Sequence, residues 1–127
     1  NNKRHNTRVI VQQADLLQAD CCANWPAMDI IVSNPPYVTL KEKAFMDSHV
    51  TDYEPYDALF VADSDPLIFY RAIARLAQKK LKPGGSIFVE INEHLKDETC
   101  ALFTSEGFSN CLMRRDIHGK ARMLKIY

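Results

Sequence analysis

Residues 28–37, Met-Asp-Ile-Ile-Val-Ser-Asn-Pro-Pro-Tyr, constrain the fold more than any other part of this chain. Ile30, Ile31 and Val32 are apolar at successive positions. Side chains of a strand alternate between its two faces, so such a run predicts a strand buried on both sides. Strands of that kind belong to parallel sheets with helices packed across them. Pro35 and Pro36 lack the N–H that a ladder needs and stop the strand after Ser33. Residues that precede proline are held out of the helical region, so the chain leaves the sheet extended.

The flanking sequence reads as an α/β alternation. Residues 8–12 predict a short strand that ends before Asp15, and residues 18–28 form a connection ending in Trp25-Pro26. Residues 38–64 are polar, aromatic and irregular, with a short helix near residues 41–48; a connection of that length is functional or disordered. Asp65-Pro66 opens the next helix, Asp as cap and Pro at the first helical position. Phe69, Ala72, Ile73, Leu76 and Ala77 recur at helical spacing and make its core stripe. Lys79, Lys80 and Lys82 suit the helix dipole as a solvated terminus, and Pro83-Gly84-Gly85 breaks the helix. Residues 86–91 read as a second buried strand, residues 95–105 as a helix closed by Gly107. Residues 111–116 and 122–127 should pair antiparallel around His118-Gly119, as a hairpin at one sheet edge. Ligands of such sheets bind beyond the C-terminal ends of the parallel strands. Asp15, the Asn34 to Tyr37 segment and Asn92-Glu93 all fall at such ends.

Chain-wide properties narrow the function. The 127 residues suffice for one domain. Lys and Arg balance Asp and Glu at 16 each, which argues against wholesale electrostatic capture of nucleic acid. No apolar run approaches the roughly 20 residues that span a bilayer, and the polar start, Asn1 to Arg8, does not read as a secretory signal. Cys21, Cys22, Cys100 and Cys111 lack zinc-ribbon spacing. They read first as free thiols of a reducing cytoplasm, with a disulfide or a metal site as the alternatives.

The chemistry lies in Asn34-Pro35-Pro36-Tyr37. An Asn side chain offers a carbonyl acceptor and an NH2 donor, Pro35 keeps its carbonyl, and Tyr37 brings a flat aromatic face. Two acceptors and a flat surface suit an NH2 group on a planar, conjugated substrate. The nitrogen of an amide is a poor nucleophile because its lone pair is delocalised, strongly enough to give a rotation barrier of about 18–20 kcal/mol. Paired acceptors orient that nitrogen toward an electrophilic methyl and stabilise the positive charge that grows on it.

These residues resemble the catalytic motif of S-adenosylmethionine-dependent methyltransferases acting on amide or exocyclic amino nitrogen. More narrowly, Tyr53-Glu54-Pro55 with Ala58-Leu59, Leu81 to Gly85 followed by Phe88-Val89-Glu90-Ile91, Gly107-Phe108, and Arg115 to Arg122 resemble the HemK/PrmC family, the peptide chain release factor N5-glutamine methyltransferases. The resemblance implies a Rossmann-like class I methyltransferase sheet, S-adenosylmethionine as cofactor, a cytoplasmic setting, and a release factor as partner, methylated at the glutamine of its Gly-Gly-Gln motif. It implies catalytic roles for Asn34, Pro35, Pro36 and Tyr37, cofactor contacts from Asp15 and Asn34, and substrate contacts from Asn34, Pro35, Tyr37 and Glu54, with no metal. The family's glycine-rich loop, the strands bearing it and its N-terminal helical domain have no counterpart in these residues. Residues 1–127 therefore read as the C-terminal part of the catalytic domain, an incomplete sheet. Two other readings stay open: adenine N6-methylation of DNA or RNA, which uses the same motif and would bring nucleic acid as a partner, and an inactive binding or dimerisation module.

Three further groups call for placement. Glu90, in a buried-type strand, implies a partnered carboxylate. Asn92-Glu93 lies near the presumed site. Arg114, Arg115, Lys120, Arg122 and Lys125 form either a solvated hairpin or a basic face for a partner.

Overall fold

The computed structural model describes residues 9–43 and 55–127. Four strands make the main sheet: β1 (Met28–Ser33), β4 (Leu81–Glu90), β5 (Cys111–Arg115) and β6 (Ala121–Ile126), in the order β1-β4-β6-β5. β1 and β4 run parallel, and β6 is antiparallel to both β4 and β5. The crossover between the parallel strands is α3 (Ile68–Lys80); α4 (Lys96–Ser105), preceded by a 3-10 turn at Glu93–Leu95, follows β4. The open mixed sheet with flanking helices is that of an incomplete Rossmann-like class I methyltransferase core, and β5–β6 is its C-terminal hairpin at the sheet edge.

The core lies on one face of the sheet. Ile31, Ile87, Val89, Leu124 and Ile126 from the strands meet Tyr70, Ile73, Ala74 and Ala77 from α3 and Phe103 from α4. The 3.6-residue spacing of the apolar positions turns that stripe of α3 onto the sheet. α4 ends as its glycine requires: Gly107 has φ +93°, Gly107 N–H donates to the Thr104 carbonyl, and Phe108 N–H donates to the Phe103 carbonyl, the paired closure that satisfies free helix-end carbonyls. Gly85 is forced by a different constraint. A Cβ there would stand 2.8 Å from the Asp29 carbonyl oxygen and from the Leu81 side chain, because β4 bulges between its Leu81 and Ser86 pairings with β1.

The sequence expectation of two-sided burial for β1 is corrected. Ile31 is buried, whereas Ile30 and Val32 are 57% and 76% exposed. Val32, Phe88, Lys125 and Leu112 are cross-strand neighbours in one row, and their three apolar members are exposed. Among the described residues only the opposite face is packed, because both long helices lie there. The strand expected at residues 8–12 is also corrected. Among the described residues, 9–12 are not part of a strand and Ile10 and Val11 are exposed; a strand forms only where a neighbouring strand completes its ladder, and the described sheet begins at β1. Residue 8 lies outside the described residues.

Other differences are smaller and have local causes. Helix α3 begins at Ile68 with no side-chain cap; Asp65 instead pairs with Arg71 at 2.8 Å. Lys80 is not a solvated terminus, because its ammonium donates to the Ala23 and Trp25 carbonyls at 2.7 Å each. The connection after β1 contains β2 (Val38–Thr39), α1 (Leu40–Lys43), α2 (Tyr56–Leu59) and β3 (Phe60–Val61), with β2 and β3 paired parallel. Two-residue strands carry too little periodicity to be read from sequence. Cys100 and Cys111 form a disulfide, which corrects the expectation of free thiols there. The turn after α4 brings β5 back beside the helix, placing the two Cα atoms 5.9 Å apart, inside the usual disulfide range. Cys21 and Cys22 are free.

Candidate amide-binding site at the end of the parallel strands

Ser33 pairs with Val89 in the parallel ladder. The next positions, Asn34 just past β1 and Glu90 as the last residue of β4, therefore lie at the same end of the sheet, the C-terminal end where ligands of open α/β sheets bind. Asn34 is exposed and Pro35 is buried. Among the described residues, the Asn34 side chain makes no hydrogen bond, so its acceptor and donor remain available. A buried proline with fixed φ anchors that exposed amide to the sheet end.

Tyr37 is tied down strongly. Its hydroxyl donates to Glu90 Oε1 at 2.6 Å, and its ring packs against the core. Glu90 is thus the partnered carboxylate read from the sequence. The Tyr70 hydroxyl donates to the Glu90 backbone carbonyl at 3.0 Å, fixing the same strand end from α3. Burial, followed by the bond to Glu90 and its negative charge, pushes the Tyr37 hydroxyl up to about 12. Nearby Arg122 works in the opposite direction, and the Tyr37 hydroxyl and Asp116 hold the Arg122 guanidinium above its ordinary value against the effect of burial.

A tyrosine that holds its proton more tightly in the folded chain stabilises that chain while both states are protonated; once the unfolded tyrosine ionises first, rising pH draws the equilibrium toward the unfolded chain. That stabilisation is complete below the ordinary value of 10.0 and is lost as pH rises to about 12. Alkaline unfolding of Tyr37→Phe should therefore be less steep across this interval than that of the parent chain. Circular dichroism titration from neutral pH upward tests this; equal slopes would remove Tyr37 as the responsible group.

Asn92 organises the other side of the motif. It is buried, at 7% exposure, and its NH2 group donates to both Glu42 carboxylate oxygens at 2.9 and 3.0 Å and to the Tyr37 carbonyl at 3.4 Å. Its side-chain oxygen accepts from His94 N–H at 3.0 Å. Glu42 in turn accepts from the Thr39 N–H and hydroxyl, both at 2.8 Å. Burial raises the Glu42 carboxyl, but the hydrogen bonds from Asn92 and Thr39 outweigh it and hold the group below its ordinary value. Sequence reading missed Glu42. The available signal was Thr39-Leu40-Lys41-Glu42, a Thr followed three residues later by Glu at a helix start.

The remaining expected positions divide. Asp15 is exposed and ends the segment before the 18–25 turn. Its carboxylate accepts from Leu17 N–H at 3.0 Å and from Gln18 Nε2 at 3.2 Å, which leaves lone pairs free on a group with about four acceptor positions. Ala14 and Leu16 on either side of it, and Ser33 just before Asn34, line one concavity of about 380 Å³ with Met28, Ile30 and Val32. Its apolar wall, with a carboxylate beside its rim, suits a flat heteroaromatic group carrying an amine. None of the four glycines borders it. A larger cavity of about 630 Å³ lies between the 18–25 turn and α3; the Asn34 to Tyr37 segment lines neither cavity. Glu54 lies outside the described residues. Among the described residues, no group of three or more His, Cys, Asp or Glu side chains could hold a metal ion, and no helix is long and apolar enough to cross a membrane.

The basic side chains of the hairpin are largely occupied. Lys120 pairs with Glu93 at 2.8 Å, Arg122 with Asp116 at 3.5 Å, and Arg115 donates to the Gly119 carbonyl at 2.6 Å. Lys125 lies 4.8 Å from the Tyr127 ring centre. These contacts favour the solvated-hairpin reading over a free basic face.

No family model matches the chain. Individual relatives do. A release factor glutamine methyltransferase of Flavobacterium psychrophilum is 47% identical over 98 residues, covering 77% of this chain and 34% of the relative. Another, of Bacteroides thetaiotaomicron, is 41% identical over 124 residues, 98% of this chain and 44% of the relative. A third, of Clostridium acetobutylicum, is 39% identical over 119 residues, 94% of this chain and 40% of the relative. The chain thus spans less than half the length of the curated relatives it matches. On this similarity, the chain is homologous over most of its length to the HemK/PrmC family of release factor glutamine N5-methyltransferases.

Proposed function

We propose that this chain carries the amide-binding half of an enzyme that transfers a methyl group from S-adenosylmethionine to the side-chain nitrogen of a glutamine, in the Gly-Gly-Gln motif of a release factor. The observation that carries this reading is the exposed Asn34 amide, free of internal partners, set on a strand end whose neighbours are locked by Tyr37–Glu90 and Asn92–Glu42. Asn34 Oδ1 and the Pro35 carbonyl accept the two hydrogens of the substrate NH2. Tyr37 and Pro36 limit the plane of the substrate amide. The acceptors stabilise the charge that develops on nitrogen, a positioning and electrostatic role that needs no covalent enzyme intermediate.

S-adenosylmethionine, when bound, supplies the electrophilic methyl. The Asp15 carboxylate and the apolar wall formed by Leu16, Ile30 and Val32 would hold its adenine end, and Asn34, next in the chain to the cavity-lining Ser33, would also contact it. An apolar face of the sheet and an edge of β1 that no described residue covers fit a larger catalytic domain, to which the family resemblance adds a glycine-rich loop and a helical domain. Release factors work at the ribosome, so the reading places the protein in the cytoplasm.

The test is transfer of labelled methyl from S-adenosylmethionine by the full-length polypeptide that contains this sequence. Two acceptors are compared, a release factor carrying Gly-Gly-Gln and duplex or single-stranded DNA containing adenine. Label on the release factor, lost when its glutamine is replaced, supports the proposal. Label on adenine instead would replace it with base methylation, and label on neither would favour a binding module.

A further inference from the structure

Away from the amide site, the 18–25 turn carries two adjacent cysteines whose sulfurs lie 2.9 Å apart. Cys22 is buried and Cys21 half-buried, and both line the cavity of about 630 Å³ between this turn and α3. That cavity is wide enough to admit a small reagent. A disulfide bond is about 2.05 Å long, so less than about 1 Å separates this pair from bonding distance. Consecutive Cα atoms stand about 3.8 Å apart, below the roughly 4.4 Å lower bound of ordinary disulfides. A bond between neighbours is therefore strained and readily reduced, the property of labile rather than structural disulfides. Cys100–Cys111, with Cα atoms 5.9 Å apart, does not share that constraint.

We propose that Cys21 and Cys22 are a vicinal dithiol site that reacts with small oxidants of the peroxide class and closes reversibly to a disulfide. Cys21, the more accessible sulfur, attacks as thiolate. Its S–O bond forms as the peroxide O–O bond breaks, and the departing hydroxide takes a proton to leave as water. Cys22 then gives up its proton and attacks the Cys21 sulfur. The S–S bond forms, the S–O bond breaks, and a second water leaves. The two thiols together lose two electrons and the peroxide gains them.

The surroundings favour this order. Burial, followed by the hydrogen bond and charge of Cys21, pushes the Cys22 thiol up to about 11, so it stays protonated during the first step. Lys80, held over the turn by the Ala23 and Trp25 carbonyls, carries the charge that eases Cys22 ionisation in the second. The backbone is already folded tightly here, with Cys21 N–H donating to the Gln18 carbonyl and Trp25 N–H to the Cys22 carbonyl.

The experiment treats the reduced chain with hydrogen peroxide, alkylates the remaining thiols and maps the peptides by mass. The expected result is a peptide spanning both cysteines that has lost two hydrogen atoms and takes no alkyl group, and that recovers both alkylation sites after dithiothreitol. Prior addition of phenylarsine oxide, a dithiol probe, should block closure in the parent and form a one-to-one adduct on the peptide spanning Cys21 and Cys22, with that adduct lost in Cys21→Ser and in Cys22→Ser. Because the map reads the peptide directly, Cys100–Cys111 does not confuse it. Accumulation of sulfinic acid on Cys21 while Cys22 still alkylates would overturn the proposal, as would an equal phenylarsine oxide adduct on that peptide in the parent and the single-serine variants.

Discussion

Asn34→Ala is expected to lower the rate of methyl transfer to a release factor by about 100- to 1,000-fold, the usual cost of deleting one preorganised group that stabilises developing charge. The loss should appear in the single-turnover rate, because the substrate glutamine still has the Pro35 carbonyl and the surrounding surface to bind against. Stability should hardly change. The side chain is exposed and bonds to nothing among the described residues, and surface substitutions of that kind stay within about 0.5 kcal/mol. Parallel rate and thermal-melting measurements on the full-length polypeptide separate the two effects. A variant that transfers methyl as fast as the parent would remove Asn34 from the mechanism. One that loses activity and melts far below the parent would mark it as structural.

Phe103→Ala is expected to have the opposite signature, a loss of folding stability of about 3–5 kcal/mol. Phe103 is fully buried and meets Phe108 edge-on, with ring centres 5.9 Å apart. Its removal leaves a cavity between α4 and the sheet as well as forfeiting transfer of the ring from water. Native domains are stable by only about 5–15 kcal/mol, so the change consumes a large fraction of the total. Leu112→Ala provides the contrast, since Leu112 is 51% exposed on the uncovered face. Urea unfolding of the two variants beside the parent measures the difference. Similar midpoints for both would show that the core is not where the packed face places it.

The uncovered face explains why one sequence rule misled. Ile30 and Val32 have the composition of a strand buried on both sides, and that reading follows correctly from their chemistry. Among the described residues no element covers them, because α3 and α4 pack on the Ile31 side. Hydrophobicity records that a face is suited to burial; it does not record which segment supplies the cover. The 8–12 segment shows the same limit. Ile10 and Val11 have strand chemistry, yet a strand exists only in a ladder, and the ladder is a property of neighbours.

The Lys80 contacts and the Cys100–Cys111 bond were illegible for a related reason. Lys80 reaches Ala23 and Trp25 across 57 and 55 residues, and the cysteines meet because the turn after α4 reverses the chain. Neither separation follows a local period. Glu42 was different, since the Thr39 to Glu42 spacing was present to be read as a helix start.

By itself, the sequence determined β1 and its proline stop, the apolar stripe of α3, the glycine closure of α4, the terminal hairpin and the Asn34-Pro35-Pro36-Tyr37 motif at a strand end. Each of these follows from local chemistry: backbone donors that proline lacks, side-chain periodicity, or a φ that glycine tolerates. Only the tertiary structure decided that the Tyr37 hydroxyl closes on Glu90, that Asn92 links Glu42 to the Tyr37 carbonyl, and that, among the described residues, one face of the sheet is packed while the other is bare. Those outcomes depend on which residues, 50 or more positions apart, the parallel crossover brings to the same sheet end, and no pattern within a single element encodes them.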